Sequence, residues 1–134
     1  MNLQGGCFCG AVRYTVSGEI FNSTLCHCTD CRRISGAPAL AWFSARRADF
    51  RFTQGEPQRF ASSEHVLRGF CPQCGTTLSF EDAHWPEELD ITSASLDDPE
   101  QVPPGDHTFV RSHLSWMKLD DGLPDYPTTR SAGK

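Results

Sequence analysis

The stretch CHCTDC, Cys26 to Cys31, places three thiols within six residues, and Arg32 and Arg33 follow directly. Thiols this close suit a metal ion. Zinc, the ion they suit best, usually takes four ligands. The triple therefore leaves one position for water, a substrate or another side chain. A second signal is FCPQCG, Phe70 to Gly75. Two residues between Cys71 and Cys74 let both sulfurs reach one ion across a tight turn, and Gly75 permits the positive φ such a turn often needs. A C-x-x-C pair can also be a redox dithiol, but that needs a thioredoxin-like setting, and a strand pattern follows here instead of a helix.

The chain holds seven cysteines. A closed zinc site at Cys71 and Cys74 needs two further ligands, and two sources compete. One is CFC, Cys7 and Cys9. In an extended segment residues two apart share a face, so these two could clamp an ion or be small core residues. The other source is any two of Cys26, Cys28 and Cys31, which leaves an orphan thiol. Taking Cys7 and Cys9 uses every cysteine, four on one ion and three on another. Spacing favours this partition and leaves the other open. An odd number of thiols fits a disulfide framework poorly.

The elements that must position these residues read mostly as short strands. AVRYTV (Ala11 to Val16) alternates apolar and polar residues, and IFNSTLC (Ile20 to Cys26) is a weaker strand. APALAWFS, FRF (Phe50 to Phe52), HVLRGF, TTLSF and LDITSASL complete a strand-rich middle. One short helix is expected: Thr29 or Asp30 caps it, CRRIS forms its body, Gly36 stops it and Pro38 lies beyond. DDPEQVPPGD (Asp97 to Asp106) reads as a loop with at most one helical turn. The last eight residues are expected to be disordered, and the domain to span residues 1–127 with a tail over 128–134.

The chain has 134 residues, which fits one domain. Its formal charge of −5 disfavours nucleic-acid and anionic-membrane binding, which need a basic surface. No apolar run approaches the ~20 residues of a membrane span. The polar start MNLQGGCFCG lacks the apolar core of a signal peptide, so the expectation is a soluble, cytoplasmic protein. That compartment is reducing, which again favours metal over disulfides.

Four segments in this order, GGCFCGAVRY, CHCTDCRRISGAP, RGFCPQCGTTLSF and LDDGLPDYP, resemble the glutathione-dependent formaldehyde-activating enzyme family. The likeness runs from about Gly5 to about Pro127. It implies a β-tent fold, short antiparallel sheets leaning together around a structural zinc held by Cys7, Cys9, Cys71 and Cys74. It also implies a second zinc on Cys26, Cys28 and Cys31 with an open position. The family reaction joins formaldehyde to glutathione as S-hydroxymethylglutathione, so a small-molecule thiol such as glutathione is the implied partner.

Three thiolates donate much charge, so a Cys₃ zinc should be a weaker Lewis acid than a His₃ zinc, which disfavours a hydrolase. A soft sulfur substrate fits better. A fourth thiolate would need positive charge nearby, and Arg32 is the candidate, with Arg33 pointing elsewhere on the helix. Alternatively His65 or His113 closes the site as Cys₃His, while His27 should point away from its flanking ligands. Trp42 and Phe43 read as core, with pocket lining as the alternative. Trp116 reads as core or as a wall of the site. Ser35 to Pro38 and Asp97 to Asp106 are the expected specificity loops. Two functions compete: a carbon–sulfur lyase acting on a thiol–aldehyde adduct, and a non-catalytic zinc-stabilised binding module.

Overall fold

The computed structural model describes residues 2–130. Among the described residues, ten strands form two sheets. The smaller contains β1 (Asn2–Gly6), β2 (Arg13–Ser17) and β5 (Phe50–Gln54), in the order β1-β2-β5. The larger has seven strands in the order β10-β3-β4-β9-β8-β7-β6. Its members are β3 (Ile20–Cys26), β4 (Leu40–Arg46), β6 (Gln58–Ala61), β7 (Val66–Phe70), β8 (Thr77–Asp82), β9 (Glu88–Thr92) and β10 (His107–Thr108). Neighbours run antiparallel except β10, which lies parallel to β3. The fold is mostly β with one α-helix, as expected from the short alternating runs.

Side-chain alternation explains how the sheets meet. On β2, Tyr14 and Val16 are buried between less buried neighbours. They join Leu3, Phe43, Leu78, Ile91 and Leu96 in the main core between the sheets. Strand β4 is central and covered on both faces: Trp42, Phe43, Ser44 and Ala45 are all buried. Successive strand residues point to opposite faces. Phe43 therefore enters the main core, while Trp42 enters a second cluster with Cys26 and Cys31. One strand thus divides the packing core from the face that carries the triple.

The helix α1 (Thr29–Ser35) forms where expected, and Gly36 closes it by donating its N–H to the Arg32 carbonyl at 2.8 Å. Its cap is Cys28 rather than Thr29 or Asp30, because the Cys28 Sγ accepts the Cys31 N–H at 3.2 Å. Two strands carried little sequence signal. β1 contains Gly5, where a Cβ would lie 2.4 Å from the Tyr14 hydroxyl and 2.6 Å from the Ser95 carbonyl oxygen. The close approach of the Tyr14 side chain from the paired strand and of the Ser95 backbone dictates glycine there, at the expense of strand propensity. β6 is an edge strand exposed along its whole length, so no apolar period marks it. The Asp97 to Asp106 segment is a loop with one 3₁₀ turn at Pro99–Gln101.

The end of the described chain is tied down. The Phe109 N–H donates to the Thr128 carbonyl at 2.8 Å, and Arg130 grips Asp106 through two hydrogen bonds, that from Nη2 being 2.8 Å long. The first residues of the expected loose tail are therefore bound to the body, and residues 131–134 lie outside the described residues. Burial works against the Asp106 carboxylate, but the Arg130 and Thr24 hydrogen bonds and the Arg130 charge together outweigh it and hold its pKa below the usual range. A lowered folded-state pKa stabilises above the unfolded value and is lost as pH falls through the folded one. Asp106→Asn should therefore cost about 1–2 kcal/mol at neutral pH, with the difference from wild type vanishing in acid. Urea unfolding of both proteins across that range, at constant metal loading, measures it.

Candidate functional site

The four sulfurs of Cys7, Cys9, Cys71 and Cys74 gather where the turn after β1 meets the turn after β7. Backbone donors shape both turns. The Val12 N–H points at Cys7 Sγ (3.3 Å), and the Gln73 and Cys74 N–H groups point at Cys71 Sγ (3.4 Å each). Gly75, at φ 83°, lets the knuckle close with its N–H on the Cys71 carbonyl at 2.9 Å. The Cys74 sulfur lies 3.3 Å from the Thr76 hydroxyl, whose hydrogen bond pulls the thiol pKa down to about 5. Cys7 Sγ is 3.7 Å from Cys9 Sγ, which is 3.8 Å from Cys71 Sγ. A tetrahedral zinc with Zn–S of about 2.3 Å sets its sulfurs ~3.8 Å apart. The cluster therefore has the spacing of a metal cradle, and all seven cysteines are free thiols.

Cys26, Cys28 and Cys31 form the second group, with their sulfurs within 4.8 Å of one another. The last residue of β3, the cap of α1 and its first turn supply them. Cys26 and Cys31 are buried and Cys28 is half-buried. Contacts with Cys26 and Cys31 favour a thiolate at Cys28, whose pKa is drawn down to about 2, and the nearby Arg68 charge adds to this. The same contacts push the Cys26 thiol up. Three sulfurs sharing charge in this way are a donor set that suits a soft or borderline divalent metal.

Among the described residues, no histidine or carboxylate joins this group as a fourth ligand. His27 does point away: its ring is buried, with Nε2 2.9 Å from His107 Nδ1, and His107 Nε2 is 2.8 Å from Asp121 Oδ2. His113 Nδ1 lies 2.7 Å from the Val110 carbonyl oxygen, and His65 stacks on His84. The three cysteines instead open on a cavity of about 560 Å³. Trp42 and Phe80 wall it, Thr108 and Phe109 close one side, and Arg68 projects from β7.

The sequence model of the glutathione-dependent formaldehyde-activating enzyme family matches residues 2–112. The chain belongs to this family. A Halomonas elongata protein named "Putative glutathione-dependent formaldehyde-activating enzyme" is 26% identical, the match covering 93% of this chain and 85% of that protein. An uncharacterized lyase of Schizosaccharomyces pombe is 34% identical over 58% of this chain and 56% of its own length. A crystal structure of a Rhodobacter sphaeroides protein superposes with a TM-score of 0.59 at 22% identity, covering 92% of this chain and 98% of that one, which establishes a shared fold.

Within this family frame, the cysteine residues expected at each site do come together, in the four-plus-three grouping. Arg32 does not reach the cavity. It occupies the last turn of α1, and the arginines that line the cavity are Arg68 and, at the rim, Arg130. Arg68 is buried on a strand, with its guanidinium 4.9 Å from the Phe80 ring centroid and Nε donating to Ser62 Oγ at 3.1 Å. Its Nη1 is buried without a hydrogen-bond partner among the described residues. A lone arginine in the apolar run HVLRGF was the available signal. Trp42 is both buried and a cavity wall. Trp116 is 64% exposed and is neither core nor wall. The expected specificity loops, 35–38 and 97–106, do not line the cavity, whose rim comes from Ser62, Ser63, His65 and Val66 and from Thr129 and Arg130.

The two cysteine groups should respond differently to loss of a sulfur. Cys71→Ser should lower zinc per chain by one and unfold the protein, because its cluster joins distant turns. Cys28→Ser should lower zinc by one and leave the far-ultraviolet circular dichroism of the wild type. Metal analysis of gel-filtered protein alongside the spectra tests both.

Proposed function

We propose that the protein is a zinc-dependent enzyme of the carbon–sulfur lyase type, acting on a thiol–aldehyde adduct such as S-hydroxymethylglutathione. The observation that carries this reading is the three-sulfur group at the floor of a cavity, with a buried arginine beside it. Cys26, Cys28 and Cys31 would hold the catalytic zinc, and Cys7, Cys9, Cys71 and Cys74 a structural one. When bound, zinc in a three-thiolate site supplies a soft Lewis acid with a position for a substrate sulfur or hydroxyl oxygen. Family membership supports glutathione and formaldehyde as the reacting pair.

The reaction balances without redox chemistry. Joining the pair forms a C–S bond, turns the aldehyde C=O into a C–O single bond and moves the thiol proton to that oxygen; the reverse undoes each change. The chain's own residues prepare the site for this. Trp42 and Phe80, whose rings meet edge to face, give the cavity an apolar wall. Arg68 faces a site that gathers negative charge as a substrate thiolate enters. Its Coulombic effect on Cys28 and Cys31 already favours their thiolate forms. The ring of Phe80 beneath the guanidinium and the Ser62 hydroxyl fix its position. A buried guanidinium acts more strongly on neighbouring charge than one in water.

Exchange spectroscopy by NMR on formaldehyde and glutathione, with and without zinc-loaded protein, tests the reading. The expected result is faster interconversion of free and adduct forms, a reduction of about a hundredfold in Arg68→Met, and partial recovery in Arg68→Lys. Exchange no faster than in buffer, from protein carrying both zincs, would leave a binding module as the correct description.

A further inference from the structure

Away from the cysteines, His65, Asp82 and His84 bring two imidazoles and a carboxylate together with their ligand atoms within 4.8 Å of one another. Sheet register places them. Val66 pairs with Asp82 across β7 and β8, so the residues just beyond each partner meet. The Ala83 N–H then donates to the His65 carbonyl at 2.8 Å, lacing the two turns together. After β8 the chain turns tightly: the His84 N–H donates to Asp82 Oδ1 and the Trp85 N–H to the Asp82 carbonyl, each at 2.9 Å. The two imidazoles stack with centroids 4.2 Å apart, and His84 Nδ1 lies 3.5 Å from Asp82 Oδ1.

We propose that His65, Asp82 and His84 form a third metal site, selective for a divalent transition ion such as Zn²⁺ or Co²⁺. Two imidazole nitrogens and one carboxylate oxygen are borderline ligands that suit these ions, whereas Mg²⁺ and Ca²⁺ prefer all-oxygen shells. Metal–nitrogen bonds of about 2.0–2.1 Å put tetrahedral ligands ~3.3 Å apart, so the site closes by small rotations of the rings. Both rings are exposed and free to make them, while backbone hydrogen bonds hold the turns. His65 and Asp82 also line the cavity that contains the three cysteines. An ion held there stands at the rim of that cavity, with positions open to water or to an oxygen-bearing group of an entering molecule. The site is independent of the lyase reading, because none of its ligands is a cysteine.

The test titrates the full chain, its cysteine sites loaded with Zn²⁺, with Co²⁺. One further equivalent is expected at micromolar concentration, with the visible bands of nitrogen and oxygen coordination and without new near-ultraviolet sulfur-to-cobalt charge transfer. His84→Ala should weaken this uptake more than about tenfold, and the His65→Ala/His84→Ala double variant should abolish it. Zinc content and thermal unfolding of the Zn²⁺-loaded variants check that they remain folded. Absence of a further equivalent at millimolar Co²⁺, or undiminished uptake by the folded double variant, overturns the proposal.

Discussion

Four sulfurs converge from two turns that leave different sheets. Cys9 and Cys71 are separated by 62 positions in the chain, yet their sulfurs lie 3.8 Å apart. One turn leaves the three-stranded sheet and the other leaves β7 of the seven-stranded sheet. Closing so long a loop costs conformational entropy, and four thiols alone repay little of it. A metal ion in such a cradle contributes binding free energy directly to folding. The tight knuckles with their N–H···S contacts are consistent with that role, as is the near-tetrahedral sulfur spacing.

From that clamp the remaining geometry follows through β4. The sheets lean together over the main core, and Phe43 fills the interior on one face of β4. The opposite face then necessarily carries Trp42 toward β3 and α1, where the triple lies. The cavity is thus a consequence of two-faced burial on a central strand. Arg68 reaches it by the same logic from β7. A buried guanidinium is costly without compensation, and the Phe80 ring, the Ser62 hydroxyl and the charge of a Cys28 thiolate offset that cost.

Much of this was legible in the residues. The alternation in AVRYTV and TTLSF marked strands, and the Gly36 stop and short CRRIS body marked the helix. The cysteine spacing favoured the four-plus-three grouping and the family resemblance implied it, since C-x-C and C-x-x-C are local geometries that survive any fold. What escaped depended on contacts between distant segments. β1 is glycine-rich because Tyr14 and Ser95 press against it, so propensity was set by tertiary packing. Arg32 looked apt because it adjoins Cys31, but a helix turns its residues outward by its own period, whereas Arg68, far away in sequence, is brought in by strand order. Trp116 misled for the opposite reason: a large aromatic residue ordinarily buries, and this one lies on the surface. The specificity loops were misplaced because nothing local reveals which turns overhang a cavity.

Under the proposed function, the seven thiols make one closed four-sulfur site and one three-sulfur site that accepts a further ligand. Cadmium NMR of the cadmium-substituted chain, recorded before and after addition of glutathione, addresses it directly. Two resonances in the thiolate range are expected, of which one is unaffected by glutathione and the other moves to the position of a four-sulfur site and disappears in Cys28→Ser. A single thiolate resonance in the folded protein, or two resonances that both ignore glutathione, would contradict it.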